Sequence, residues 1–227
     1  MQLLELPPKK EREKAINRDV FLPPFEAGIF IMNFGSTHRL LFNKYMVLPE
    51  HVLVVTTESE PQYAELSEGD FYYGFLTLSA INGLCFYNSD RTAGSSQLHK
   101  HLQVVSLNSL KTQILEALDE AAGEAKPAVE GYFQDSAVEI PQFEGYKVAC
   151  VRLRAFDPNS NLKKQAQYLK QVYHSLKARL DADGQEKSFN LLFTKDWMLV
   201  ALRKQENLFG ASFNALSVAG SLLAKDS

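Results

Sequence analysis

The chain has 227 residues, of which 45% are hydrophobic and 11% aromatic, so it is long enough to bury a substantial core. The formal net charge of −3 and the pI near 6.0 argue against long nucleic acid as the principal ligand, because a polyanion is attracted by excess positive charge. We find neither a secretory signal pattern nor an apolar run of the roughly 20 residues that a membrane helix needs. The composition therefore predicts a cytoplasmic globular protein with no membrane partner.

The first half of the chain predicts strands, helices and one polar loop. Residues 1–24 are charged and end in a proline pair, which predicts a surface arm. Apolar and aromatic residues bounded by turn residues predict strands at 28–34, 39–45, 46–56, 84–87 and 98–105. Apolar residues at helical spacing predict helices at 68–81, where Ser67 is available as the N-cap and Asn82-Gly83 as the stop, and at 109–122.

The second half predicts two strands in a hairpin, a third strand and the clearest amphipathic helix. Residues 123–142 contain glycines and prolines among acidic residues, which indicates an irregular excursion. A strand is predicted at 146–154 and a helix at 160–182, and the strands 188–193 and 197–202 flank a turn. We predict a single α+β domain over 1–227, with a mostly antiparallel sheet and packed helices.

Polar residues line one face of the strand predicted at 98–105. Side chains alternate along a strand, so His99, His101 and Gln103 project from one face, whereas Lys100 projects from the other. Two imidazoles and an amide on a half-buried sheet carry a desolvation cost unless they meet partners or a ligand. Imidazole is a nucleophile towards phosphorus at neutral pH, because its reference pKa of about 6.5 leaves much of it unprotonated. This face is therefore a candidate site for group transfer.

The loop before this strand has the composition of a phosphate site. Residues 88–97 supply small residues, hydroxyls and backbone N–H groups that can surround phosphate oxygens, and Arg91 and Lys100 are predicted as the nearby cations. Two other interpretations stay open. Histidines spaced by one residue also occur as satisfied hydrogen-bonding groups or as half of a zinc site, and most Ser/Gly loops are ordinary turns.

The loop and the strand together carry a resemblance to a known family. The segment Gly94-Ser95-Ser96-Gln97-Leu98-His99-Lys100-His101-Leu102-Gln103 resembles the Gly-Ala-Ser-Gln-x-His-Lys-His-Leu-Gln signature of the ATP adenylyltransferases, also called diadenosine tetraphosphate (Ap4A) phosphorylases. These belong to the histidine-triad and galactose-1-phosphate uridylyltransferase superfamily. Similar blocks run from about residue 33 to 223, including 190–198 and 213–223. The resemblance implies a histidine-triad-like fold and a nucleotidyltransferase domain.

The resemblance also implies a reaction. His101 would attack the α-phosphorus of a dinucleoside polyphosphate, and phosphate would then attack the nucleotidyl-histidine, so that Ap4A and phosphate give ATP and ADP reversibly. His99 would orient the nucleophile. Gln103 stands where hydrolytic members of the superfamily place a third histidine, and an amide holds a phosphate oxygen but is a poor acid or base at pH 7.

Further residues are implied as substrate contacts. Each also has a structural alternative: a strand-edge lysine, a surface histidine at a strand start, or loop capping. The implied substrate-binding residues are Lys44, Asn43, Asn88, Gly94, Ser95, Ser96, Gln97 and His51.

One residue departs from the family pattern. Asp90 stands in the phosphate loop where the family usually has glycine, and a carboxylate beside a polyphosphate is unfavourable unless it turns away. Two alternative functions therefore stay open: a hydrolase or transferase acting on another nucleotide conjugate, and a nucleotide-binding protein without turnover.

Cysteine usage predicts no disulfide and no metal cluster. Cys85 and Cys150 lie far apart in apolar surroundings, which favours buried reduced thiols. The sequence has no second cysteine or histidine pair with zinc-ligand spacing, so we expect no tightly bound metal or other cofactor. Magnesium is expected only as a companion of a polyphosphate substrate. The oligomeric state is not readable from the sequence.

Overall fold

The computed structural model describes residues 19–46, 48–128, 137–138, 147–156, 161–181, 184, 187–208 and 211–221. The predictions made for residues 1–18 and for most of the excursion at 123–142 lie outside this part of the chain. The strands are β1 (Phe30–Phe34), β2 (His38–Phe42), β3 (Val52–Thr56), β4 (Gly83–Asn88), β5 (His101–Ser106), β6 (Ala137–Val138), β7 (Val148–Arg152), β8 (Phe189–Phe193), β9 (Trp197–Leu202), β10 (Asn207–Leu208) and β11 (Ala211–Ser212). The helices are α1 (Glu68–Ile81), α2 (Gln113–Glu124), α3 (Leu162–Leu180) and α4 (Ala215–Val218).

Among the described residues, nine strands form one sheet in the order β1-β2-β3-β5-β4-β8-β9-β7-β6. Every neighbouring pair is antiparallel, and β10 and β11 form a separate small ribbon. The predicted α+β class with a mostly antiparallel sheet is confirmed. The pairing of β4 with β8 joins the two halves of the chain within this sheet.

One face of the sheet is covered by α1 and α3. Ser67 caps α1 in a capping box with Asp70, and Asn82 ends the helix in the left-handed conformation, as the sequence predicts. Phe71 and Phe75 of α1 lie in a core cluster with Leu169 of α3 and with apolar residues of the sheet. All three side chains are at most 1% exposed. This layer forms the back of the sheet with respect to His101.

The opposite face is covered at its two ends and leaves His101 between them. At one end, α2 and α4 pack over β4, β8 and β9 around the buried Trp197. At the other end, Phe21 packs with Leu41, Leu53 and Val55. Gln103 pairs with Leu53 of β3 and Phe86 of β4, so β5 is a central strand that presents its side chains between the two apolar covers.

Several predicted strands are longer than the observed ones. The strand predicted at 98–105 begins only at His101, because residues 98–100 follow a different partner. Leu98 O accepts from Gln62 N at 2.7 Å, Lys100 N donates to Glu60 O at 2.7 Å, and His99 forms an isolated bridge with Pro61. The backbone of residues 98–100 therefore pairs with residues 60–62, and the regular strand β5 begins only at His101. The strands predicted at 39–45 and 46–56 are also shorter, because turns and a bend occupy residues 44–45 and 48–50.

The two cysteines are free and buried, as predicted. Cys85 packs with the back cluster, whereas Cys150 packs with the cluster under α2 on the opposite face, so the sheet separates their thiols. Within the described part of the chain, no helix has the length and apolarity needed to cross a bilayer.

Candidate active site

The imidazole of His101 is held in one tautomer. Its Nδ1 donates to the carbonyl oxygen of His99 at 2.8 Å, and no hydrogen-bond partner is found for Nε2 among the described residues. The side chain is 5% exposed, and burial lowers the pKa of His101 from 6.5 to about 4. A neutral imidazole with its proton on Nδ1 keeps the lone pair on Nε2, which is the state that a nucleophile requires. The carbonyl of His99, rather than its ring, orients the nucleophile.

The lowered pKa of His101 predicts a pH-dependent loss of stability. The unfolded chain binds a proton near pH 6.5 and the folded chain only near pH 4, so protons favour unfolding between these values. The contribution is fully present above about pH 6.5 and is lost as the pH falls towards 4, by about 3 kcal/mol. Urea unfolding of the wild type and of His101→Asn between pH 7 and pH 4 measures this difference. Parallel curves for the two proteins would contradict it.

The ring of His99 is fixed from two sides. Its Nδ1 lies 2.7 Å from Oδ2 of Asp19, and its Nε2 lies 2.9 Å from both the carbonyl oxygen and Oγ1 of Thr56. The hydroxyl of Thr56 donates to the carbonyl oxygen of Glu58 at 2.8 Å, so it accepts from His99. This immobilises the backbone whose carbonyl holds His101.

Three predicted residues form a chain of hydrogen bonds that ends at Gln103. Nε2 of His51 donates to Oε1 of Gln103 at 2.9 Å, and Nδ2 of Asn43 lies 3.3 Å from Nδ1 and 3.2 Å from Nε2 of His51. Since Nε2 donates to Gln103, Nδ1 is the ring nitrogen that accepts from Asn43. Burial lowers the pKa of His51, which keeps that ring neutral. Because Oε1 of Gln103 accepts from His51, its NH₂ group is left to donate on the face of β5 that Gln103 shares with His101. The neutral histidine therefore orients the amide.

The loop 88–97 is tied to the end of the chain. Oδ1 of Asn88 accepts from Nδ2 of Asn190 at 2.8 Å and from the backbone N of Ala215 at 2.9 Å. Gly94 has φ +92°, and a Cβ at this position would lie 2.7 Å from Cβ of Asn214, so only glycine fits. Ser95 donates through Oγ to the carbonyl oxygen of Gln97. Gly94 and the following predicted contacts, Ser95, Ser96 and Gln97, are exposed or half-buried.

Asp90 is turned into the loop. Its Oδ1 accepts from the backbone N of Ala93 at 2.9 Å and its Oδ2 from Oγ of Ser188 at 2.6 Å. A carboxylate with both oxygens engaged closes the turn and holds it to the segment before β8. Asp90 is compatible with a phosphate loop only if its carboxylate turns away from the phosphates, and these two contacts hold it in that way.

The predicted role of Lys100 as a phosphate cation is wrong. Its side chain passes to the back of the sheet, where Nζ lies 2.5 Å from Oε2 of Glu60 and 3.1 Å from Oδ2 of Asp70, and it is 1% exposed. Burial alone would lower the pKa of Lys100, but these carboxylates raise it. Strand alternation predicts the direction in which this side chain points, but only the fold shows the buried carboxylates on that side. Arg91 is exposed on the loop.

Lys44 lies outside the hydrogen-bonded group around His101. It follows β2, where its Nζ lies 2.8 Å from Oε2 of Glu26, and its side chain is 46% exposed. The structure thus brings together His101, His99, Gln103, His51 and Asn43, while the loop residues follow β4 beside them.

Sequence reasoning missed Gln62, whose side chain holds the backbone of His101 and Asn88. Oε1 of Gln62 accepts from the backbone N of His101 at 3.0 Å, and Nε2 of Gln62 donates to the carbonyl oxygens of Asn88 at 2.7 Å and His101 at 3.3 Å. Gln62 is 3% exposed. One amide thus joins the nucleophile to the first residue of the loop. Gln62 stands in a polar stretch with no periodicity, so the sequence carries no signal for this role.

The fold is shared with known proteins. The structure is similar to the crystal structure of yeast Ap4A phosphorylase Apa2 in complex with Ap4A, with a TM-score of 0.76 and 22% identity over 95% of this chain and 75% of that chain. The model of the Ap4A phosphorylase N-terminal domain matches residues 5–120, and that of the ATP adenylyltransferase C-terminal domain matches residues 143–227. The chain therefore belongs to the Ap4A phosphorylase family, as its signature predicts.

Two curated relatives come from Saccharomyces cerevisiae. The chain is 28% identical to diadenosine 5',5'''-P1,P4-tetraphosphate phosphorylase 2, over 86% of this chain and 64% of that protein. It is 27% identical to Protein APA1, over 89% of this chain and 67% of that protein. The chain thus spans about two thirds of the length of these relatives.

Proposed function

We propose that the chain catalyses the reversible phosphorolysis of Ap4A to ATP and ADP through a nucleotidyl-histidine on His101. The observation that carries this proposal is the free Nε2 of a neutral, oriented His101 beside the amide of Gln103. Membership of the Ap4A phosphorylase family supports the substrate. So does the similar yeast protein, whose crystal structure is a complex with Ap4A.

The first step transfers AMP to the protein. The lone pair of Nε2 of His101 attacks the α-phosphorus, the bond from this phosphorus to the bridging oxygen breaks, and ATP leaves. Nδ1 keeps its proton, so the substituted imidazole becomes a cation, which the carbonyl oxygen of His99 stabilises at 2.8 Å. The second step is attack by an oxygen of inorganic phosphate on the same phosphorus. The P–N bond breaks, its electron pair returns to Nε2, and ADP leaves.

Gln103 and the loop would hold the phosphates during both steps. The NH₂ group of Gln103 is oriented by His51 to donate to an α-phosphate oxygen. The backbone N–H groups of Ser96 and Gln97 and the hydroxyl of Ser96 would contact the remaining phosphates. The N–H groups of Gly94 and Ser95 and the hydroxyl of Ser95 donate within the loop. Lys44 would add a positive charge from the turn after β2 once its pairing with Glu26 opens.

A product assay tests this function. With Ap4A and phosphate we expect ATP and ADP in equal amounts, and without phosphate we expect no more than one ATP per protein, because the intermediate then persists. AMP formed equally with and without phosphate would instead establish a hydrolase. Binding of Ap4A without any product would establish a nucleotide-binding protein.

We also propose that the protein acts in the cytoplasm and holds no resident metal, with magnesium arriving only on the polyphosphate. The two buried free thiols fit a reducing compartment. In the described part of the chain, no cluster of three histidine, cysteine or acidic side chains is arranged to hold a metal ion. Stoichiometric zinc in the purified protein, measured by elemental analysis, would contradict the second point.

A further inference from the structure

We propose that Phe21 determines the acceptor of the reaction by excluding water from the nucleotidyl-histidine. The inference rests on the proposed function, since it concerns the fate of that intermediate. Phe21 would thus be a specificity-determining residue that favours phosphate over water.

Phe21 lies directly against both signature histidines. Its ring centroid is 5.0 Å from that of His101 and 5.8 Å from that of His99, and its side chain is 7% exposed. It packs with Leu41, Leu53 and Val55. The imidazole of the nucleophile therefore has an apolar, water-free wall on this side.

The segment that carries Phe21 is fastened to the site by polar contacts. Oδ2 of Asp19 lies 2.7 Å from Nδ1 of His99 and accepts from Oγ of Ser59 at 3.1 Å. Oδ1 of Asp19 accepts from the backbone N of Phe21 at 3.0 Å, and Nη1 of Arg39 donates to the carbonyl oxygen of Phe21 at 3.1 Å. Arg39 is itself 8% exposed. Four hydrogen bonds thus hold the segment that places the phenyl ring over the histidines.

The chemistry of the intermediate gives this wall its function. With Nδ1 still protonated, the imidazole bonded to phosphorus is a cation and a good leaving group, so any nucleophile that reaches the phosphorus can break the P–N bond. Attack by water would return the electron pair to Nε2, release a proton to solvent and give AMP. Phosphate is brought to the site by the same donors that hold the leaving ATP, whereas water needs only an opening. An apolar wall offers an unbound water molecule no hydrogen-bond partner, whereas phosphate keeps these donors, so the wall disfavours attack by water relative to attack by phosphate.

The other groups around His101 do not prevent hydrolysis by themselves. Gln103 is a weak base and does not activate water, but the concentration of water far exceeds that of phosphate. Suppression of hydrolysis thus needs exclusion as well as the absence of a base. Phe21 is the aromatic side chain that the structure places against His101.

The test compares products formed by Phe21→Ala, by the wild type and by Phe30→Ala. Phe30 is 41% exposed on β1 and stacks on Phe25, so its truncation removes the same atoms away from the histidines. At saturating phosphate we expect the ratio of AMP to ADP to rise at least about tenfold in Phe21→Ala, equivalent to about 1.4 kcal/mol. Phe30→Ala should match the wild type. In isotopically labelled water, the extra AMP should carry the label on its phosphate.

Each outcome decides the inference. An unchanged ratio in a folded, active Phe21→Ala protein would overturn it, as would an equal rise in Phe30→Ala. If Phe21→Ala does not fold, Phe21→Val decides by the same ratio, because it also opens the face of the imidazole. A wild type that makes no ADP from Ap4A and phosphate would instead refute the proposed function, whatever the variants do.

Discussion

Replacing His101 by alanine is expected to abolish both covalent labelling and turnover. Wild-type protein mixed with α-labelled Ap4A in the absence of phosphate should carry acid-labile label, because a P–N bond is broken in acid. His101→Ala should carry none, and its rate with phosphate should fall by at least about 10⁴-fold, since a nucleophile is lost. Gels run at neutral to alkaline pH, with an acid-treated duplicate that should lose the label, and a product assay measure the two effects.

His174→Ala is the matched control for this experiment. His174 lies on α3 with its side chain 51% exposed, 3.5 Å from Glu65, so its removal should leave labelling and rate unchanged. Equal labelling of His101→Ala and the wild type would show that the nucleophile is another residue. Turnover without any label on the wild type would point to direct transfer.

Replacing Asp70 by alanine is expected to cause a large loss of stability. Oδ1 of Asp70 lies 3.0 Å from Nε2 of His38, and Oδ2 lies 3.1 Å from Nζ of Lys100 and accepts from the backbone N of Ser67. Burial would raise the pKa of Asp70, but the bond from His38 and the charge of Lys100 lower it. Without Asp70, the buried ammonium of Lys100 keeps Glu60 and the carbonyl oxygen of Glu65, and α1 loses its capping box.

The expected loss is about 3–5 kcal/mol in the free energy of unfolding, because the buried ion pair with Lys100, the bond to His38 and the cap of α1 are lost together. For a chain of this size it corresponds to a fall in Tm of roughly 10 °C, measured by thermal denaturation. Glu68→Ala is the control, since Glu68 is exposed in the first turn of the same helix and should change stability by about 0.5 kcal/mol or less. A similar effect for both variants would mean that the buried network contributes little.

Local patterns predict much of the fold. The bounds of α1 agree with the prediction at both ends, because Ser67 and Asn82 are short-range signals for capping and termination. The hairpin of β8 and β9 follows from two apolar runs around a short turn. The signature around His101 predicts the nucleophile for the same reason: its residues are consecutive in the sequence.

Long-range contacts could not be predicted in the same way. The partners of Lys100 lie on α1 and on the segment before it, so its burial is invisible to a strand pattern. β5 begins later than predicted because residues 98–100 pair with residues 60–62, and residues 60–62 show no periodic pattern in the sequence. Phe21 belongs to a segment predicted as a surface arm, yet at Asp19–Phe21 that segment packs against the histidines, which corrects this part of the prediction. Each contact spans tens of residues.

The ties between Asn88 and the end of the chain have a consequence for synthesis. The Asn88 side chain is satisfied by groups at Asn190 and Ala215, which lie 102 and 127 positions later. A nascent chain that has passed through the ribosome only as far as β5 already contains both histidines and the whole loop. It still lacks both partners of the Asn88 side chain, and such distant contacts form late in folding. The newborn protein thus completes its phosphate loop only after the segment that carries Ala215 has emerged from the ribosome.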